Sequence, residues 1–217
     1  MATLATKGTP STSQRTWARL GSMTQDACLV AISAVFFAIH AQHVVVGHSL
    51  TSVFFAAEQA VLVVMFLTRR RSSVTSVRVQ DWAVAAVGGW LTLALRPVGS
   101  DYSTVVSTGI GVQMLGLAAT IVCFCYLGRS FGIVAANRGI KMRGPYTMLR
   151  HPIYVAEYVT TIGFLMSNFA VLNIAIAVVV GAAQVARVHS EERVLSASPE
   201  YRAYRSQVRW RLVPHVY

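Results

Sequence analysis

Charge is scarce in this 217-residue chain: Asp, Glu, Lys and Arg together make up only 12% of it. A soluble domain carries about twice that share, and a soluble protein this small could not cover its surface with so few charged groups. Acidic residues are the rarest, eight against nineteen Lys and Arg, which leaves a formal net charge of +11. Cysteine numbers three without metal-type spacing, which excludes a disulfide-stapled secreted module. The composition also excludes collagen and a disordered chain, because 54% of the residues are hydrophobic. Apolar sequence is what is present in excess, with a mean hydropathy of +0.53. The composition is that of an integral membrane protein of one domain.

A spanning helix needs about 20 mostly apolar residues. Residues 27–46 have that length and include His40, Gln42 and His43. Residues 50–67, with Glu58, are slightly short, and 82–95 are short enough to suit an interfacial or core helix instead. Residues 105–127 are long and uninterrupted. The stretch 154–188 is too long for one crossing and is broken at Ser167 and Asn168 and again near Asn173, so it reads as a helical hairpin with a tight turn. The expected fold is all-α: a polytopic membrane bundle of about six segments, the last two a hairpin, followed by a cytoplasmic helical tail. Residues 1–26 are expected to form a partly disordered cytoplasmic tail, 27–127 four membrane helices, and 128–217 a loop, hairpin and tail. The first apolar stretch is too long for a signal-peptide core and lacks a small-residue cleavage site, so it is expected to remain as an anchor.

Every Lys and Arg except Arg96 falls in one of four stretches, 1–26, 68–81, 128–152 and 187–217. With six crossings these lie on one side, and the positive-inside rule makes that side, with both termini, cytoplasmic. The same placement accounts for most of the positive charge through membrane lipids, at roughly 1 kcal/mol per basic residue near an anionic surface, and without nucleic acid. The Arg69-Arg70-Arg71 run then reads as a stop-transfer anchor. Cys28, Cys123 and Cys125 read as small packing residues. Gly109, Gly111 and Gly116 lie inside an apolar helix with no strand before them, which suits close helix packing rather than a dinucleotide loop. His40, His43 and Glu58 can face one another across the first hairpin; no metal site is assigned to them.

The last third has a different character. Between Gly128 and Pro152 the chain is polar, glycine-rich and basic. Gly144-Pro145-Tyr146 precedes Arg150-His151-Pro152-Ile153-Tyr154; beyond the hairpin come Arg187, Glu191, Glu192 and Leu195, then Glu200-Tyr201 and Tyr204. On a helix Arg187 and Glu191 share a face, while Glu192 is turned roughly 100° away. By spacing alone this is either a salt-bridged helix leaving the membrane or a site built at both ends of one hairpin.

In these residues and spacings the stretch 128–214, about 40% of the chain, resembles the C-terminal half of the isoprenylcysteine carboxyl methyltransferase family and its relatives, the phospholipid N-methyltransferases. The resemblance implies an enzyme that takes a methyl group from S-adenosylmethionine, held in a cytoplasmic pocket between the last membrane helices and the tail. It implies cofactor contacts from Tyr146, His151, Pro152, Ile153 and Tyr154, from the stretch Arg138, Gly139, Ile140 and Lys141, and from Glu191 at the cofactor's methionine end. The stretch 138–141 departs from the eukaryotic carboxyl methyltransferases. Arg187 would meet the substrate, with Arg150 as a second group able to hold an acceptor oxygen. A carboxylate acceptor needs no base; an amine or phenol does, and Glu192 is then the candidate. The acceptor is expected to be a lipophilic or prenylated molecule entering from the bilayer, with residues 27–127 facing it. O-methylation of an isoprenylcysteine-like carboxylate leads, and N-methylation of a phospholipid headgroup follows. Two other classes are a nicotinamide-dependent sterol or enone reductase, whose C-terminal half is similarly organised, and a non-catalytic membrane scaffold.

Overall fold

The computed structural model describes residues 12–47, 50–70, 72, 74–76, 78–98, 103–214 and 216. Seven α-helices carry the fold among them: α1 (Thr12–Gly47), α2 (Leu50–Thr68), α3 (Val79–Trp90), α4 (Ser103–Leu127), α5 (Pro152–Ser167), α6 (Val171–Leu195) and α7 (Pro199–Gln207). Two short strands, β1 (Val74–Thr75) and β2 (Ala136–Asn137), pair antiparallel with Val74 opposite Asn137. Three helical stretches are long and apolar enough to cross a membrane, Ala27–Val46, Ser103–Ser130 and Val171–Leu195, and Ser52–Thr68 is a shorter apolar helix. α1 begins at Thr12, so the backbone of residues 12–26 is helical and runs into the apolar stretch Ala27–Val46. No proline lies between Thr12 and the apolar stretch, so nothing stops an established helix from propagating backward. Residues 1–11 lie outside the described part.

The hairpin breaks where its sequence does. Pro152 occupies the first turn of α5, where its missing N–H costs nothing. At the far end Asn173, 1% exposed, holds the turn: its Nδ2 donates to the Asn168 carbonyl at 2.8 Å. The same amide ties the turn to the chain after α3, donating to the Arg96 carbonyl at 2.9 Å and accepting from the Arg96 N–H at 3.0 Å.

The segment expected at 82–95 is helical but does not end as an α-helix. A 3-10 stretch, Leu91–Ala94, continues α3. With a rise of about 2.0 Å per residue against 1.5 Å it lengthens the element. Its two ends are tied to the two ends of α6, through Arg96 to Asn173 and through Asp81 to Arg193 at 2.6 Å. A segment with a short apolar run thus runs alongside nearly the whole of α6.

Close helix contact is built from small residues. Gly116 of α4 lies against the Thr160 backbone of α5, and Gly163 of α5 against the Gln113 backbone of α4, each too close to admit a Cβ. Gly109 likewise abuts Ser167 and Gly163, whereas Gly111 faces open space. Packing of small residues is what holds helices together where lipid supplies no hydrophobic drive. Gly163→Leu should therefore lower stability by roughly 1–3 kcal/mol or more. The measurement is thermal unfolding of the purified protein in detergent, and an unchanged melting temperature would contradict this packing.

Candidate functional site

The loop between α4 and α5 and the chain after α7 are joined by backbone pairing. The Arg150 N–H donates to the Trp210 carbonyl at 2.9 Å and the His151 N–H to the Arg211 carbonyl at 3.0 Å. Arg150 fastens the same strand of tail from the side, its Nη1 donating to the carbonyls of Val208 at 2.9 Å and Arg209 at 2.7 Å. Tyr204 of α7 completes the link, its hydroxyl donating to the Tyr146 carbonyl at 2.6 Å. α7 is capped by Ser198, whose Oγ accepts from the Tyr201 N–H at 3.3 Å, and begins at Pro199. The second arginine-rich stretch joins the assembly: the Arg70 N–H donates to the Arg129 carbonyl at 2.7 Å, next to the β1–β2 pair.

Below this cap the facing sides of α5 and α6 form a ladder of polar contacts. At the top, His151 lies between two carboxylates, Nε2 3.2 Å from Glu192 Oε1 and Nδ1 3.5 Å from Glu191 Oε2. One turn down, the Tyr154 hydroxyl donates to Glu191 Oε1 at 2.6 Å, and the Arg187 guanidinium lies 5.2 Å over the Tyr154 ring. Next, Gln184 Nε2 donates to Glu157 Oε2 at 2.6 Å, and the Tyr158 hydroxyl reaches the Gly181 carbonyl at 2.8 Å. The rungs recur every three or four residues because both partners are helices. Arg187 is also steered from behind: its Nη2 donates to the Ile133 carbonyl at 3.1 Å, and Gly88 of α3 leaves room for its Cδ.

A cavity of about 560 Å³ opens onto this ladder, within the range of small-molecule sites. Of the expected site residues, Tyr146, His151, Ile153, Tyr154, Arg187, Glu191, Arg150, Arg138, Gly139, Ile140 and Lys141 line it. Pro152 and Glu192 do not. Glu192 is buried behind the wall, its Oε1 accepting from Arg150 Nε at 2.7 Å and from the Tyr201 hydroxyl at 2.9 Å. The cavity then continues between apolar side chains of α1, α2 and α4, among them Leu29, Phe36, Leu62 and Leu117. His40 and Glu58 line this part; His40 stacks on Phe55 with ring centroids 4.9 Å apart, and His43 is exposed.

Among the described residues four buried polar atoms on the wall have no hydrogen-bond partner: His40 Nδ1, Arg138 Nε, the Tyr146 hydroxyl and Arg187 Nε. Leaving such groups unpaired is costly, so each points to a ligand that supplies the missing partner. Burial pushes the Tyr146 hydroxyl well above its usual range, so it stays a neutral donor. His151 is pulled down by burial but held up more strongly by Glu191 and Glu192, so its imidazole favours the charged form. Burial pushes Arg138 down, while Glu191 opposes the shift. Together the wall offers carboxylate, cationic and neutral donor groups, which suits a ligand bearing both an ammonium and a carboxylate, as S-adenosylmethionine does.

Sequence reading missed Glu157. It is a single carboxylate three residues after Tyr154 in an otherwise apolar hairpin, and an isolated ionisable group in an apolar run is the signal that would have found it. The sequence marks the tail from Val208 to Pro214 as part of the assembly, but the backbone pairing of 150–151 with 210–211 carries no sequence signature.

Asp81 anchors the site from the side of α3. It accepts from Arg193 Nη2, from Ser190 Oγ at 2.7 Å and from Ser76 Oγ. Burial pushes its carboxyl up, but these bonds outweigh burial and hold it at about 2. A carboxyl depressed by folding contributes stability above its unfolded value, and that contribution is lost as pH falls through the folded one. Asp81→Asn should thus lose on the order of 2 kcal/mol at pH 7. Its unfolding profile should also flatten between about pH 4 and pH 2, where the parent protein loses stability. Thermal unfolding across that range is the check.

With this geometry in place, residues 103–198 match the model of the phospholipid methyltransferase family. The match falls on most of the residues that form the site. It takes in α4, the loop, both hairpin helices, and hence Tyr146, His151, Tyr154, Arg187 and Glu191. The description of that model, phospholipid methyltransferase, is one of the two families that the sequence motifs resemble. The chain is also similar to the nickel-cobalt-cadmium resistance protein NccN of Alcaligenes xylosoxydans xylosoxydans, 29% identical over 149 residues, which cover 64% of this chain and 62% of that protein.

Proposed function

We propose that this protein is an integral-membrane methyltransferase that moves a methyl group from S-adenosylmethionine to a lipophilic acceptor entering from the bilayer. The observation that carries the reading is one cavity shared by Tyr146, His151, Tyr154, Arg187 and Glu191 and continued between apolar walls of α1, α2 and α4. The cofactor supplies an activated methyl group on a sulfonium. Glu191 pairs with its ammonium, and the Tyr146 hydroxyl and the arm 138–141 bind its polar edges. Arg187, held against Tyr154, meets the acceptor. Methyl transfer is an in-line displacement, so the residues act chiefly by orientation and by excluding water. Six segments cross the membrane in this reading, with both termini and the polar mouth in the cytoplasm, as the arginines require.

Two acceptor classes fit this frame. Arg187 with its unpartnered Nε suits the carboxylate of an isoprenylcysteine-like lipid. The phospholipid methyltransferase match supports an amine headgroup. The test of the shared reading is mass spectrometry of membrane lipids from cells with and without the intact protein. A lipid that gains one methyl group only with the protein supports it; identical lipid profiles count against it. Competition between S-adenosylmethionine and a nicotinamide dinucleotide for the purified protein separates it from a reductase.

A further inference from the structure

Arginines that follow two different apolar helices are gathered at one place. The apolar run of α2 ends at Thr68, directly before Arg69 and Arg70, and that of α4 ends at Ser130. In a chain that spans the membrane, both ends lie at headgroup level. The two stretches are fastened together. Arg129 Nε donates to the Thr68 carbonyl at 2.7 Å, and the Arg70 N–H donates to the Arg129 carbonyl at 2.7 Å. The Ser130 hydroxyl donates to the Arg138 carbonyl at 3.2 Å. Arg69 and Arg138 lie within electrostatic range of one another.

The cluster is short of acids. Residues 68–80 and 128–156 hold nine Lys and Arg and no Asp or Glu. Glu191 is within range of Arg138, and both line the cavity. Arg129 answers the carbonyl end of α2, and Arg69 lies 6.0 Å over the Phe66 ring. Arg70 is exposed and turns toward Gly139. With φ at +98° and no side chain, Gly139 leaves a gap, and Arg70 Nη1 lies 3.7 Å from the point a Cβ would occupy. Arg138 Nε is buried without a hydrogen-bond partner. Like charges held this close repel unless an anion joins them. At this depth the anion to hand is a lipid phosphate, whose oxygens match the guanidinium fork.

We infer that Arg70, with Arg69 and Arg138 beside it, binds the phosphate of an anionic membrane lipid, and that this lipid steadies the arm 138–141. Arg70 makes the direct contact, and the other two supply positive potential around it. The lipid site stands on the cluster alone. Its hold on the arm as a donor-binding element rests on the methyl-transfer reading.

The experiment places the full chain in nanodiscs of phosphatidylcholine, with and without a share of phosphatidylglycerol. Native mass spectrometry reads the retained lipid, and labelled S-adenosylmethionine reads donor affinity. Phosphatidylglycerol should be retained about tenfold or more over phosphatidylcholine, and Arg70→Gln should lower that preference about fivefold. Arg70→Lys should restore most of it. Arg205→Gln removes the same charge from the exposed side of α7 and should leave the preference unchanged. Donor affinity should rise several-fold with phosphatidylglycerol in the parent protein and not in Arg70→Gln. No preference, or equal loss in Arg70→Gln and Arg205→Gln, reduces the cluster to diffuse surface charge and overturns the inference. Displacement of the lipid by millimolar inorganic phosphate makes the occupant a free anion and overturns the lipid assignment. Retention without any change in donor affinity overturns the hold on the arm. Protein that retains the lipid and binds no donor in either bilayer removes the methyl-transfer reading, and the hold on the arm with it, and upholds the lipid site.

Discussion

Glu192→Ala is expected to cost about 3–5 kcal/mol and to release the C-terminal tail. Its Oε1 accepts from Arg150 Nε at 2.7 Å, from the Tyr201 hydroxyl at 2.9 Å and lies 3.2 Å from His151 Nε2, while Oε2 is 3.5 Å from Arg211. The Arg150 and Glu192 side chains are 4% and 7% exposed. Removing the carboxylate strands a buried guanidinium, and breaking one member of a buried pair is far more damaging than its net contribution suggests. The damage spreads because Arg150 also holds the carbonyls of Val208 and Arg209. Limited proteolysis and thermal unfolding of the detergent-purified variant should show early cleavage between 205 and 211 and a lowered transition. A protected tail and an unchanged transition would mean that Glu192 is not the hub of this junction.

Glu191→Ala should leave the fold in place and weaken S-adenosylmethionine binding by about 100-fold, the size expected when a desolvated charge loses its partner. Glu191 differs from its neighbour in facing the cavity, with its side chain 21% exposed and steadied by Tyr154 at 2.6 Å and His151 at 3.5 Å. Arg187→Ala is the contrasting variant. It should bind the donor nearly as well as the parent and lose turnover, because Arg187 is assigned to the acceptor. Equilibrium dialysis with labelled cofactor, alongside single-turnover assays, separates the two. The opposite pattern, with Arg187 controlling donor affinity, would reverse the roles.

Much of this site can be read in the sequence because its parts are local. Arg150 to Tyr154 form one loop-to-helix entry, and Arg187 to Leu195 form two turns of one helix, so fixed spacings translate directly into shared faces. The helical hairpin is equally legible, since Ser167, Asn168 and Asn173 interrupt an apolar run that would otherwise be too long to cross once. The pairing of residues 150–151 with 210–211 uses main-chain atoms and left no mark in composition. Whether Glu191 or Glu192 faces the cavity depends on the helix's rotation against α5, which their adjacency in sequence does not fix. The start of α1 at Thr12 was hidden by a Ser- and Thr-rich stretch whose helical form owes nothing to an apolar face. The length of the α3 segment was hidden for another reason: a 3-10 ending changes the rise per residue without changing hydropathy.

The central claim is that the loop after α4, the entry to α5 and the end of α6 enclose one donor site. Saturation binding of labelled S-adenosylmethionine to the detergent-purified full-length protein tests it most directly. The account predicts one saturable site per chain, lost in Glu191→Ala and kept in Arg187→Ala. No saturable binding up to high micromolar concentrations, from protein that unfolds cooperatively, would contradict it.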